Sequence, residues 1–208
     1  MLQLTSNRSV FCLLAGTLAL ALAACEPASP TSENPIQSST VADDGSKLLG
    51  AWHGELDGSE VFVHVVNDGR DGLQTLVIGR QNGGSTWAAA RAIPADINGT
   101  GYLSIEVLQD RGDSVSDPLE RGFHLLRYRT GPEQNYVTLY ALDESRIDKA
   151  IQTGEISGDV KHMRLQASSQ ELIHFIENHP GQDLFSVQIG YFERVNEDEL
   201  PKSQPRIR

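Results

Sequence analysis

Through the middle of the chain, apolar and polar residues alternate with the two-residue period of strands that bury one face. Segments 48–55, 61–66, 73–80, 86–93, 102–108, 123–129, 136–142 and 184–195 follow this pattern. They are short and rich in β-branched and aromatic residues. Turn clusters such as Asn67-Asp68-Gly69 and Gln81-Asn82-Gly83-Gly84 break them. A further strand is expected over 160–165. Parity then assigns faces. Leu48, Trp52 and Leu56 share a side, with His53 and Glu55 opposite. Leu103, Ile105 and Val107 oppose Ser104 and Glu106; Phe185, Val187, Ile189 and Tyr191 oppose Ser186, Gln188 and Gly190. Such alternation predicts a sheet with one dry and one wet face.

Two late segments depart from this period. Asp143 is placed to cap a helix whose apolar stripe is Ile147, Ala150 and Ile151, ended by Gly154. Ser168-Ser169-Gln170-Glu171 fits a capping box, with Leu172, Phe175 and Ile176 at helical spacing and Pro180-Gly181 beyond. Each helix is apolar on one side and is expected against an end or one face of the sheet. Connections of a few residues favour antiparallel meander pairing. The predicted fold class is therefore mainly β (α+β), an antiparallel meander sheet or barrel with two short helices before the last strand. An open sheet and a closed barrel both satisfy the pattern.

The chain begins differently. Arg8 is the sole charge in residues 1–24, and the run from Val10 to Ala24 is apolar apart from Thr17. Fifteen such residues would reach only ~22 Å as a helix, short of the ~30 Å hydrocarbon core, so a secretory signal is expected. Its end, Leu22-Ala23-Ala24-Cys25, resembles the lipobox of bacterial lipoproteins. The resemblance implies that Cys25 is acylated and becomes the first residue, anchoring the protein in a membrane through its N-terminal lipid. Glu26 in the next position, where aspartate favours inner-membrane retention in enterobacterial lipoproteins, implies the outer membrane, facing the periplasm. The expected organisation is a signal peptide (1–24), a lipidated cysteine and flexible linker (25–47), one β-rich domain (48–200) and a disordered tail (201–208). The linker segment is rich in Ser, Thr, Pro, Asn and Asp and has little apolar surface to offset its ordering.

Charge narrows the partners. The chain carries 17 basic and 28 acidic side chains; without Arg8 this leaves 16 against 28, a net charge of −12. Such a chain repels phosphate backbones, which argues against nucleic acid. It would instead steer a basic protein toward itself. Cys12 falls in the signal, so Cys25 is alone in the remaining chain and no disulfide is expected.

Leu49-Gly50-Ala51-Trp52, ahead of a series of antiparallel strands, resembles the Gly-x-Trp opening of lipocalin-like barrels. That resemblance implies an eight-stranded barrel able to carry a small apolar ligand. Residues 141–185 also resemble a segment of uncharacterised bacterial proteins, which implies no chemistry. Trp52, Phe62, Trp87, Tyr102 and Phe123 are the candidate ligand-lining residues, because aromatic rings at strand positions supply most of a cavity's wall.

Catalytic patterns are weaker. Gly112-Asp113-Ser114 and Asp159-Val160-Lys161-His162 resemble the blocks of GDSL-type hydrolases, which would make Ser114 nucleophile, His162 base and Asp159 its orienting group. The blocks are too close together for that fold, and strands rather than βα units separate them. His174 and His179, with Glu177, sit five apart, off the i, i+4 spacing of a shared metal. The sequence thus predicts no enzyme, cofactor or metal. It predicts a non-catalytic binding domain for a small apolar ligand, or alternatively an acidic inhibitor or immunity-type protein that binds a basic periplasmic protein.

Overall fold

Asp57-Gly58 and Asn98-Gly99 each place two successive residues at positive φ, 48° and 73° in the first pair and 53° and 79° in the second. Two-residue turns of this hand match the twist of the strands they join, so each dipeptide closes a hairpin. The computed structural model describes residues 30–37, 45–69, 72–81, 84–111, 113–115, 122–179 and 181–196. Its main strands are β1 (Gly50–Leu56), β2 (Ser59–Asn67), β3 (Leu73–Gln81), β4 (Gly84–Ile97), β5 (Thr100–Asp110), β6 (Phe123–Thr130), β7 (Tyr136–Ala141) and β8 (Val187–Arg194). Each pairs antiparallel with the next, and β8 returns to β1 with Phe192 opposite Gly54. The sheet is a closed eight-stranded meander barrel, consistent with lipocalin-like architecture.

Closure brings β1 and β8 very close at Gly54. A Cβ there would strike the carbonyl oxygen of Tyr191 and lie 2.7 Å from the Cα of Phe192. Both are backbone atoms and cannot swing aside. Gly54→Ala is therefore expected to destabilise the domain by ~1–3 kcal/mol, as overpacking does. A urea unfolding midpoint unchanged by this substitution would show that the seam has slack.

Helix α1 (Glu144–Gln152) is capped by Asp143, whose carboxylate accepts from the amides of Ser145 and Arg146. Helix α2 (Ser169–Asn178) carries the complete Ser168/Glu171 capping box. A single turn, α3 (Gly181–Leu184), leads into β8. Ile147, Ile151, Leu172 and Phe175 pack on Ala95, Tyr102 and Leu125, outward-facing residues of β4, β5 and β6. The protein thus has two cores, one inside the barrel and one between its outer wall and the helices.

Several readings of the pattern need correction. Residues 30–37, assigned to the linker, belong to the fold. Thr31–Ser32 pairs with His124 and Phe123 of β6 on one side and with Arg164–Leu165 on the other. Ile36 is fully buried, and its amide donates to the Ser104 hydroxyl at 2.8 Å. Ser104 is accordingly buried, although parity placed it on a wet face. Ile36 is the only large aliphatic side chain in this polar stretch, too sparse a signal for composition to register.

Over 160–165, Val160 and Met163 close a turn, and only Arg164–Leu165 is extended. β4 continues through Pro94 to Ile97, past the predicted end at Ile93. β3 starts at Leu73 opposite Ala92, so Pro94 faces no strand on that side and its missing N–H costs nothing there. In β8 a bulge between Gln188 and Gly190 breaks the alternation. Beyond it Phe192 is buried and Tyr191 exposed, the reverse of the parity expectation. The strand also begins three residues later than predicted, because 181–184 is helical.

Candidate functional site

Trp52 sits at one end of the barrel interior, held by the Leu48 carbonyl and the Arg194 guanidinium. Its indole N–H donates to the Leu48 carbonyl at 2.8 Å. The Arg194 guanidinium lies 4.2 Å above its ring. Arg194 also donates to the carbonyls of Leu49 (2.6 Å), Lys47 (2.9 Å) and Gln134 (3.0 Å). The 3-10 turn Ser46–Leu48 is thereby tied across the barrel mouth to the last strand, with Leu48 buried beneath it.

Behind Trp52 lies a cavity of about 90 Å³. Leu56, Leu103, Ile105, Val137 and Phe192 form part of its wall. Apart from the Trp52 indole N–H, Thr75 supplies the only polar side-chain group among the described lining residues, and none of them is ionisable. An apolar space of this kind stays dry and attracts apolar matter.

Of the five aromatic residues expected to line a site, only Trp52 does so. Phe62 is 50% exposed on the outer wall, stacked on His53 at 4.4 Å. Trp87 is 38% exposed on the same wall. Tyr102 is buried in the second core, 5.2 Å from Phe185, and Phe123 packs against that core. The alternation correctly marked strands but could not tell the barrel's inside from an outside covered by helices. The rest of the cavity wall is aliphatic, and its signal was the inward parity of residues such as Leu103 and Ile105. Cys25 and the 201–208 tail lie outside the described residues.

The other candidate constellations resolve locally. His162 Nδ1 lies 2.7 Å from Asp159 Oδ2 within one turn, and this bond holds the Asp159 carboxyl below its usual range. Ser114 is exposed in a two-residue pairing with Gln109, and no hydrogen bond joins it to His162 among the described residues. His179 ends α2, its Nδ1 donating to the Phe175 carbonyl at 2.8 Å and its Nε2 3.1 Å from Glu155. His174 is bonded instead to Asn178. No cluster of three metal-ligating side chains occurs among the described residues.

Two buried polar residues escaped sequence reading. Arg127 is covered by the helical layer, 4.5 Å over the Tyr140 ring, and donates to the Phe185 carbonyl at 3.2 Å. Its Nε has no hydrogen-bond partner among the described residues, and desolvation first, then Arg129, lowers its pKa. His124 is buried, and its Nδ1 likewise has no partner among the described residues. Burial pushes its pKa down to about 4, whereas in an unfolded chain the ring titrates near ~6.5. Between those values the unfolded state binds a proton that the folded state refuses. The contribution is complete above pH ~6.5 and is lost as pH falls through about 4, roughly 3 kcal/mol in all. Urea midpoints between pH 7 and 4 should fall less steeply for His124→Gln than for the parent. Equal slopes would remove His124 as the cause.

The fold and cavity define a class, a closed antiparallel eight-stranded barrel with an apolar interior and a helical layer on one flank. No protein-family model matches the chain, and neither a curated protein nor a solved structure matches it.

Proposed function

We propose that this is a lipid-anchored protein of the bacterial envelope, held at the outer membrane through Cys25, whose barrel is a non-catalytic binding module for a small apolar ligand. The cavity behind Trp52 carries this reading: its wall is mostly aliphatic, and none of its described lining residues is ionisable. Its volume sets the ligand class. Pockets for drug-sized molecules run to ~300–1,000 Å³, and a cavity of ~150 Å³ admits benzene. At about 90 Å³ the space suits a very small apolar molecule or the tip of an alkyl chain. Leu22-Ala23-Ala24-Cys25 supports the anchor.

Titration with xenon and with ethane, apolar probes small enough for this space, read from methyl NMR signals, tests the binding reading. Leu103, Ile105 and Val137 should shift saturably, and more strongly in Leu103→Ala, which enlarges the space. Absence of saturable shifts in both proteins would end the small-ligand reading. Any such protein should start upstream of Thr31, because residues 31–36 are part of the fold. Intact mass of the membrane fraction tests the anchor: acyl mass on Cys25, lost in Cys25→Ser, is the expected result.

A second reading is favoured by a separate observation. The barrel wall away from the helices exposes Phe62, Leu76, Ile78 and Trp87 together, on a chain of net charge −11. Those features suit an acidic protein that binds a basic partner.

A further inference from the structure

On the outside of β1 to β4, His53 stands opposite Phe62, Phe62 opposite Ile78, and Ile78 opposite Trp87. The adjoining row carries His64 opposite Leu76. Side chains in register on neighbouring strands form one continuous surface, so Phe62, Leu76, Ile78 and Trp87 make a single apolar patch. Each is 38–50% exposed. Contiguous patches of this kind on soluble domains mark interaction sites.

Carboxylates border the patch. Glu55 and Glu60 lie directly opposite one another on β1 and β2, and both are exposed. Like charges in that position destabilise a sheet. Glu60 has only a histidine beside it, His53 at 2.9 Å, and Glu55 has no cationic partner among the described residues. Asp57 in the adjoining turn adds a third exposed carboxylate. Among the described residues, the fold thus sets an acidic strip against an apolar patch with no Lys or Arg ion-paired to it.

With the lipid on Cys25, as proposed above, chain geometry keeps the bilayer from this wall. Thr31 is fastened to β6, and six residue steps separate it from Cys25, a reach of at most ~22 Å. β2 is four strands from β6 in either direction around the ring, so Phe62 lies across the barrel from the point of attachment. A lipid on Cys25 keeps the β6 flank at the membrane and turns the Phe62 wall away from it. A second copy brings the same acidic strip and the same net charge, which opposes pairing.

We propose that the β1–β4 wall is a docking surface for a basic protein, one that covers Phe62 and Trp87 with apolar side chains and sets Arg or Lys against Glu55 and Glu60. The inference rests on the second reading above and names the surface that reading requires. Burial of aromatic anchors beside complementary charge is the usual composition of a tight interface.

The test places the photo-crosslinker p-benzoylphenylalanine at Phe62, at Ile78 and, on the helical flank, at the exposed Lys149, each in the full chain in the cells that make it. The expected result is one protein adduct from positions 62 and 78 and none from 149. The captured protein should have an isoelectric point above neutrality. Yield should fall severalfold when Glu55 and Glu60 are both changed to glutamine. Adducts to lipid alone, or at twice the chain's own mass, overturn the inference. So does a yield indifferent to the two carboxylates. A basic protein captured only from position 149 would overturn this surface while leaving a protein partner in place. No protein adduct from any position would overturn both.

Discussion

Trp52→Ala is expected to destabilise the folded domain by ~3–5 kcal/mol, the range for removing a buried aromatic side chain. The indole is 3% exposed and joins three structures at once. It lines the cavity, bonds the 3-10 turn through Leu48, and supports the Arg194 guanidinium. Truncation removes the apolar contact, leaves the Leu48 carbonyl without its donor, and takes the ring from beneath a cation. Domains of this size have ~5–15 kcal/mol in total, so the loss would leave a marginal protein. Trp52→Phe helps separate the contributions, since it keeps one aromatic ring but loses the N–H bond, worth ~1–3 kcal/mol when a buried group is left unpaired, together with part of the ring volume. Urea unfolding followed by circular dichroism measures both. A Trp52→Ala loss below ~1 kcal/mol would mean that Arg194 and the turn close the barrel without the indole.

Ile36→Asp is expected to release residues 30–37 from the barrel wall. Ile36 has no exposed surface and packs in the helical core with Leu165 and Phe175. Shortening such a residue to alanine costs ~2–5 kcal/mol, and a carboxylate in its place must also be desolvated or lose its charge. Detachment would leave Ser104 without the Ile36 amide and Phe123–His124 without their pairing to Thr31–Ser32. Hydrogen exchange at the amides of Thr31 and Ile36 should rise to unprotected rates, while β1 to β3 stay protected. Exchange unchanged at Ile36 would show that backbone pairing alone keeps the segment in place. The variant also bears on the tether, because freeing the segment would move the first fixed strand from Thr31, six residue steps from Cys25, to Gly50, 25 steps away.

The eight strands were legible because their period is local. Two residues decide which face a side chain takes, and the Asp-Gly and Asn-Gly turns announce where the chain reverses. Both helices were legible for the same reason. Asp143, Ser168 and Glu171 satisfy backbone groups within three residues of themselves, so their capping needs no distant partner. Trp52 was recognisable from its place after Gly50, whereas Arg194, which completes its setting, lies 142 positions away and carried no sign of the pairing.

What parity could not decide was the identity of the two sides. In this closed barrel the inside is lined by apolar side chains, but the outside is wet only where nothing covers it. Helices and residues 30–37 bury Tyr102 and Ser104 on one flank; Phe62 and Trp87 stay exposed on the other. The same alternation therefore means core, covered wall or docking surface, depending on which element packs against it. By itself the sequence determined the strands, turns, caps and net charge, each set by neighbours in the chain. Only the tertiary structure decided the closure of the ring, the bulge that reverses Tyr191 and Phe192, and the docking of Ile36. These depend on contacts between distant residues, whose distances no local pattern encodes.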